Sequence, residues 1–255
     1  MLPRLIGVVH LGPLPGSPRF RGDFSSVLDG AAADARLLAD AGFDGVMVEN
    51  FGDAPFDADD VPKVTIAAMT AAVGEVAEAC QLPTGVNVLR NDAVGALSVA
   101  AATSASYIRV NVLSGTMFTD QGPIVGRAAE VSRLRAHLCP DVSIMADVFV
   151  KHATPPPGLH LVDATRDLTE RAGADAVIVT GSGTGAATNI VELRAVCEAS
   201  NLPVYVGSGA TASTIAELLA IADGAIVGTA TKEDGVTTNR VDVDRAGAIV
   251  AAASE

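Results

Sequence analysis

Short runs rich in β-branched residues alternate with longer Ala-rich segments along almost the whole chain, and this repeat constrains the fold more than any other feature. Strands that alternate with helices form a parallel sheet, because each helix returns the chain to the starting edge of the sheet. Eight such units can close into a barrel, and 255 residues is a usual length for one barrel domain. We therefore predict an α/β fold, a single (β/α)8 or TIM barrel over residues 1–255. A doubly wound open sheet is the main alternative, but no GxGxxG fingerprint follows the first strand.

The predicted strands are short, and they cover residues 5–9, 45–49, 84–89, 107–110, 143–150, 176–179, 203–206 and 224–227. Ser26 is predicted to cap the first helix, which ends near Ala41. The later helices are predicted at residues 62–80, from 92 onward, and at 123–138, 161–172, 189–200, 213–221 and 243 to nearly 255. Proline and glycine shape long loops after the first, second and fifth strands, and we expect these loops to cover the barrel mouth. Residues 111–122 are predicted to form a further loop.

The composition narrows the class of protein. Hydrophobic residues make up 49% of the chain and aromatic residues only 4%, which is typical of parallel strands covered by helices. A net charge of −13 argues against nucleic acid or anionic lipid as the main partner. No apolar run is long enough for membrane insertion, and the segment before the first strand is too short for a signal peptide. We therefore expect a soluble, cytoplasmic protein. The three cysteines are widely spaced and predict neither a zinc site nor a disulfide framework.

Two glycine turns near the end of the chain predict an anion site. Each follows a β-branched run and precedes a predicted helix, whose first N–H groups attract phosphate. In a (β/α)8 barrel the turns after the seventh and eighth strands commonly hold a phosphate group. A third glycine-rich turn, at residues 181–185, could provide a further contact. The predicted phosphate-binding residues are Gly181, Gly207, Ser208, Gly209, Gly228 and Thr229. Ordinary strand–helix turns are the alternative.

Alternation along the predicted strands places an unusual number of polar side chains on the barrel axis. They are Glu49, Asn87, Arg109, Asn111, Asp147, Lys151 and Thr180. Buried charges need partners or a chemical task, and charges at the C-terminal ends of barrel strands are typically catalytic. We therefore predict an active site at this rim. The alternative is an internal network in which Glu49 and Asp147 neutralise Arg109 and Lys151.

The predicted catalytic residues are Asp147, Lys151, Glu49 and His10. A partly buried Lys151 either attacks a carbonyl as a neutral amine or binds phosphate as a cation. Asp147 either exchanges protons with the substrate or forms a salt bridge. His10 either transfers protons or makes a structural hydrogen bond. The predicted substrate-binding residues are Asn87, Arg109, Asn111, His152 and Thr180.

No motif calls for a cofactor. Oxygen ligands from Glu49 and Asp147, joined by Asp53, could hold Mg²⁺, although their spacing does not require it. Lys232 follows the last glycine turn closely, so it either reaches a phosphate there or lies on the surface.

Eight motifs, in order along the chain, carry a resemblance to a known family. They lie at residues 7–18, 45–56, 85–92, 108–112, 146–153, 179–185, 206–209 and 226–232. Together they resemble the BtpA/SgcQ family, and the match runs nearly end to end. The resemblance implies a family named for a cyanobacterial factor that acts in photosystem I accumulation. Similar proteins also occur in organisms without photosynthesis, beside sugar and nucleoside metabolism.

Two functions follow from these observations. The first is an enzyme of the aldolase, isomerase or lyase type that acts on a small phosphorylated sugar or nucleoside-like metabolite. Because barrels of this kind often self-associate, we expect a homo-oligomer. The second function, implied by the family name, is a non-catalytic factor for the biogenesis of a membrane complex that retained the barrel.

Overall fold

Eight parallel strands close into a barrel in the computed structural model, which describes residues 1–181 and 188–254. Their order around the barrel is β1, β2, β3, β4, β7, β9, β10 and β11. These strands are β1 (Leu5–His10), β2 (Gly45–Glu49), β3 (Thr84–Asn87), β4 (Tyr107–Val110), β7 (Ser143–Val148), β9 (Ala176–Val179), β10 (Val204–Val206) and β11 (Gly224–Val227). The predicted (β/α)8 barrel is confirmed.

Helices cover the outer face of the barrel. In the described ranges they are α1 (Phe24–Ala41), α2 (Lys63–Cys80), α3 (Ala93–Thr103), α4 (Ala128–Leu138), α5 (Leu161–Glu170), α6 (Ile190–Ala199), α7 (Ile215–Leu219) and α8 (Val243–Ala253). Asp23, not the predicted Ser26, caps α1, because its carboxylate accepts the Ser26 N–H at 3.0 Å. Within residues 1–181 and 188–254, no helix is both long and apolar enough to cross a membrane.

The two faces of the strands pack into separate cores, as period-two alternation requires. Inside the barrel lie Ile6, Val8, Met47, Tyr107, Met145, Ala176, Ile178, Tyr205 and Ile226. The buried tyrosines satisfy their hydroxyl groups on backbone carbonyls: Tyr107 donates to Val46 at 2.7 Å, and Tyr205 donates to Pro3 at 3.0 Å. This apolar plug fills the lower part of the barrel, and the polar residues therefore collect above it, at the carboxyl ends of the strands.

The prediction of a loop at residues 111–122 followed by a helix from Pro123 is wrong. Strands β5 (Thr116–Thr119) and β6 (Gly122–Val125) form a hairpin, and β8 (Ala153–Thr154) pairs with β5. Thr119 closes the turn by donating its hydroxyl to the Gly122 carbonyl at 2.9 Å. The buried side chains of this small sheet form an apolar cluster of their own, so tertiary burial outweighed the helical pattern.

Two predicted strands are too long by two residues. Strand β3 ends at Asn87, and β7 ends at Val148. Phe149 has a φ of 51°, so the chain leaves the strand there. Continued alternation would place Phe149 on the barrel axis, between Asp147 and Lys151. Its side chain instead packs among the outer apolar clusters.

Lys232 follows the last glycine turn, but its side chain neither lies on the surface nor lines the cavity at that turn. Its side chain is fully buried, and its ammonium group donates to Asp34 of α1 at 2.8 Å. The second Asp34 oxygen accepts the Val241 N–H at 3.1 Å and lies 3.3 Å from the Arg240 guanidinium. The pair therefore ties the segment between β11 and α8 to the first helix.

We expect the Asp34→Asn substitution to lower the free energy of unfolding by about 3 kcal/mol or more, because it leaves the Lys232 charge buried without its partner. Urea unfolding followed by circular dichroism measures this change. Asp167→Asn is the matched control, since Asp167 pairs with Arg171 at 4.0 Å on the surface. The control should change the value by less than about 0.5 kcal/mol. Equal effects of the two substitutions would show that the buried pair has no special importance.

Candidate active site

A cavity of about 550 Å³ opens at the carboxyl ends of β1, β2, β10 and β11. It brings together residues that lie far apart in sequence and that were predicted to form one site. Those that line it are His10, Glu49, Arg109, Lys151, Gly207, Ser208, Gly209, Gly228 and Thr229. The other predicted residues, Asn87, Asn111, Asp147, His152, Thr180 and Gly181, do not line this cavity.

Lys151 provides a half-buried positive charge in this cavity. Its ammonium group makes no hydrogen bond or salt bridge to any residue in the described ranges. Its backbone is held on both sides, because its N–H donates to Thr180 Oγ1 at 3.0 Å and its carbonyl accepts from Arg90 at 2.6 Å. Burial and then the nearby Arg109 charge lower the pKa of Lys151, against the opposing effect of Glu49. A lysine of this kind is a good nucleophile or anion ligand.

His10 and Glu49 lie side by side on β1 and β2. Their closest atoms, Nε2 and Oε1, are 3.8 Å apart, which is too long for a hydrogen bond. Burial, followed by the charges of Lys232, Lys151 and Arg109, holds the pKa of His10 well below its usual value. The imidazole is therefore neutral. Within the described part of the chain, neither its buried Nδ1 atom nor the Glu49 carboxylate has a hydrogen-bond partner.

Arg109 and Asp147 form a buried ion pair below this cavity. Nε and Nη2 of Arg109 donate to the two Asp147 oxygens at 3.0 and 2.9 Å. Asn111 donates to the same carboxylate at 2.7 Å. Burial alone would lower the pKa of Arg109, but the paired carboxylate raises it overall. The alternative of an internal charge network is therefore correct for Arg109 and Asp147. It does not include a salt bridge to Lys151 among the described residues.

Asn87, Asn111 and Thr180 support this arrangement from behind. The Asn87 amide donates to the Arg109 carbonyl at 3.2 Å and to the Asn111 side chain at 3.3 Å. Thr180 holds the Lys151 backbone. Gly181 is buried, and the rest of the glycine-rich turn predicted at residues 181–185 lies outside the described residues. The side chains of Asn87, Asn111 and Thr180 hydrogen-bond to other protein groups and so orient the charged residues.

The glycine turn after β11 approaches His10 closely. A Cβ atom at Gly228 would lie 2.7 Å from the His10 ring, so only glycine lets the ring lie beneath the turn. A short 3-10 turn, Thr229–Thr231, follows in place of the predicted helix start. Its first two amides, on Thr229 and Ala230, have no carbonyl partner within the turn.

The turn after β10 is built differently. The Gly207 N–H donates to the Val179 carbonyl at 2.8 Å and so belongs to the sheet. A Cβ at Gly207 would lie 2.4 Å from the Ile178 side chain. Gly209 has a φ of 73°, which favours glycine. Helix α7 begins at Ile215, two residues later than predicted, and the hydroxyl residues Thr211 and Ser213 line the cavity before it.

Arg245 is a cavity residue that the sequence analysis missed. It belongs to α8, and its Nε donates to the Ala230 carbonyl at 3.1 Å, which places an exposed guanidinium beside the last glycine turn. Strand-end patterns cannot identify a residue on a helix. The signal that could have identified it is a cation in the first turn of the helix that follows the eighth strand.

A smaller cavity of about 350 Å³ adjoins the first and shares Glu49, Arg109 and Lys151 with it. It is completed by Phe51, Phe56, Leu89, Arg90, Asn111, Asp120 and His152. His152 is exposed, and burial of its ring followed by the Lys151 charge lowers its pKa. His152 and Asn111 therefore belong to this second cavity.

Two of the three carboxylates weighed for Mg²⁺ are engaged by different partners. Asp147 accepts from Arg109 and Asn111, whereas Asp53 accepts the Leu14 N–H at 2.8 Å and the Asn50 amide at 3.0 Å. Among the residues that the structure describes, no three His, Cys, Asp or Glu side chains come close enough to hold one metal ion.

Comparisons with known proteins agree with this architecture. The model of the BtpA family matches residues 2–255. An uncharacterized protein of Methanocaldococcus jannaschii is 46% identical over 249 residues, which are 96% of this chain and 93% of that protein. The photosystem I biogenesis protein BtpA of Synechocystis is 44% identical over 252 residues, 98% of this chain and 88% of its own length. A thiamine phosphate pyrophosphorylase from Pyrococcus furiosus has the same fold, with a TM-score of 0.61, 13% identity and coverage of 98% and 95% of the two chains. The chain belongs to the BtpA family.

Proposed function

We propose that the chain is an enzyme of the aldolase, isomerase or lyase type that acts on a small phosphorylated sugar or nucleoside-like metabolite. One observation carries the proposal: the Lys151 ammonium group has no partner among the described residues and lines a cavity that also contains two glycine turns. Even partial burial of an unpaired charge is costly, so a bound anion or a reaction at Lys151 would offset that cost.

The phosphate group would lie against the turns. The Thr229 and Ala230 amides, the hydroxyl groups of Thr211 and Ser213 and the Arg245 guanidinium would bind it. Amides at the start of a turn and a nearby guanidinium are the usual ligands of a phosphate group. With the phosphate held at this rim, the rest of a small substrate would extend toward Lys151, Glu49 and His10.

The chemistry would begin with Lys151 as a neutral amine. The amine adds to a substrate carbonyl, and the carbonyl oxygen leaves as water after two proton transfers, which yields a protonated imine. Glu49 then removes a proton from the adjacent carbon or hydroxyl, since no donor among the described residues competes for its oxygens. Neutral His10 can relay that proton. Arg109 would orient the substrate and stabilise developing negative charge.

Asp147 would position Arg109 and would not exchange protons with the substrate, which was one of its two predicted roles. Both of its oxygens already accept hydrogen bonds from Arg109 and Asn111. A carboxylate in that state holds the guanidinium in place but is a poor base.

A part in photosystem I biogenesis is the second candidate function. The name of the Synechocystis relative favours it. The Lys151 charge, which forms no salt bridge with a described residue, favours the enzyme, because an assembly factor that only retained the barrel has no need for such a cation in a cavity.

Inorganic phosphate is expected to raise the melting temperature of the protein by about 3 °C at a roughly tenfold excess over Kd. Arg245→Met should remove most of this shift, because it deletes the exposed guanidinium beside the turn. Thermal unfolding with and without phosphate measures it. Arg133→Met is the matched control, since Arg133 is also exposed and also donates to a backbone carbonyl, that of Ala129 at 2.8 Å. A shift that survives Arg245→Met would place the anion elsewhere.

Borohydride reduction in the presence of phosphorylated aldehydes and ketones should attach the carbonyl compound to Lys151. Because its pKa is lowered, the rate should rise with pH and level off below the value of about 10.4 expected for an exposed lysine. Peptide mass spectrometry identifies the modified residue. Exposed Lys63 is the internal control and should react slowly at neutral pH. Equal labelling of Lys63 and Lys151, or no adduct across a broad panel, would exclude the amine mechanism.

The Glu49→Gln and Asp147→Asn substitutions should separate chemistry from positioning. Glu49→Gln should abolish turnover yet change the free energy of unfolding by less than about 1 kcal/mol, because no hydrogen bond to a described residue is lost. Asp147→Asn should lower that free energy by about 3 kcal/mol, because Arg109 remains buried and charged. Urea unfolding and activity assays measure the two quantities. The reverse ranking of stability losses would contradict these roles.

A further inference from the structure

Arg90 is a buried cation that forms no salt bridge with a carboxylate in the described ranges. Its side chain lines the 350 Å³ cavity, and the residue is only 5% exposed. Its one hydrogen-bond acceptor in the described ranges is the Lys151 carbonyl, 2.6 Å from Nη2. A guanidinium carries five N–H donors, so most of them have no acceptor there. Burying a charged group with unsatisfied donors costs free energy, and a bound anion would offset that cost.

Other charged groups also line this cavity. Asp147, Glu49 and Asp120 attract the Arg90 charge from a distance, but no described carboxylate forms a salt bridge with it. Arg109 is already paired with Asp147 beneath the cavity. Asp120 is exposed at the rim and accepts a hydrogen bond from Gln121. The Glu49 carboxylate lies 3.8 Å from the neutral His10 ring. The remaining lining groups, Lys151 and His152, are basic residues.

The walls of the cavity favour an organic anion over a free ion. Phe51, Phe56 and Leu89 provide an apolar surface beside the guanidinium. The planar fork of an arginine matches a carboxylate through two parallel hydrogen bonds. Because Glu49 and Asp120 also line the cavity, a singly charged carboxylate meets less repulsion there than a doubly charged phosphate would.

We propose that the smaller cavity is a carboxylate subsite and that the substrate is a phosphorylated sugar acid. This inference rests on the proposed function, in which the phosphate lies at the glycine turns of the larger cavity. The two cavities share Glu49, Arg109 and Lys151. The reacting carbons would therefore lie between the two anionic ends of the substrate, next to the amine.

Calorimetric binding of two matched ligands tests the subsite. The ligand 6-phosphogluconate has a carboxylate where glucitol 6-phosphate has a hydroxymethyl group, and the two are otherwise alike. The wild-type protein should bind 6-phosphogluconate roughly tenfold more tightly, because it gains a charge-assisted hydrogen-bonded pair. Arg90→Gln should abolish this preference and leave binding of glucitol 6-phosphate unchanged. Arg245→Met should weaken the binding of both ligands by the same factor.

Arg90→Lys is the second variant, since lysine retains the charge but lacks the planar guanidinium. Its preference for 6-phosphogluconate over glucitol 6-phosphate should fall to roughly threefold. Equal binding of both ligands by the wild-type protein would overturn the carboxylate subsite while leaving the phosphate site in place. A preference that survives in Arg90→Gln would overturn it as well. Failure of the wild-type protein to bind either ligand would overturn the phosphate site and the subsite together.

Discussion

The buried ion pair between Arg109 and Asp147 is the interaction on which the rim of the barrel depends. It joins neighbouring strands β4 and β7, and Asn111 completes the ligands of the carboxylate. Two buried charges are tolerated only when their geometry and hydrogen bonding are nearly complete. That condition is met at Asp147, whose carboxylate accepts hydrogen bonds from Arg109 and Asn111. The half-buried Lys151 and the buried Arg90 lie nearby and form no salt bridge with a described residue.

This uneven pairing explains how an acidic protein can present an anion site. The chain has a net charge of −13, yet the cavities at the barrel mouth contain two cations, Lys151 and Arg90, that form no salt bridge with a described residue. Low-dielectric walls strengthen the attraction of such cations for a substrate and reduce screening by salt. The apolar plug beneath them, from Ile6 to Ile226 in the barrel interior, excludes water from below. Burial also lowers the pKa values of Lys151 and His10 and so prepares an amine and an imidazole for proton transfer.

The barrel was predictable because its signal is local and repeated. Each strand is a short β-branched run, and some helices begin at a capping side chain, as α3 does at Asp92 and α8 at Asp242. The hairpin at residues 116–125 was not predictable, because its strands are stabilised by a separate apolar cluster formed with Val112 and Val150. Lys232 was misplaced for a similar reason: its partner Asp34 lies 198 positions away along the chain.

The sequence by itself determined the barrel, the family and the strand ends at which polar groups gather, because periodicity and glycine turns act over a few residues. Only the tertiary structure decided how those polar groups divide their charges. Distances between strands decide that Asp147 pairs with Arg109, while Lys151 and Arg90 remain without a counter-ion among the described residues. Residues on other elements, such as Arg245, join the site only when closure of the barrel brings the last helix against the last turn. Pairing of this kind depends on positions in space, which a pattern along one chain does not contain.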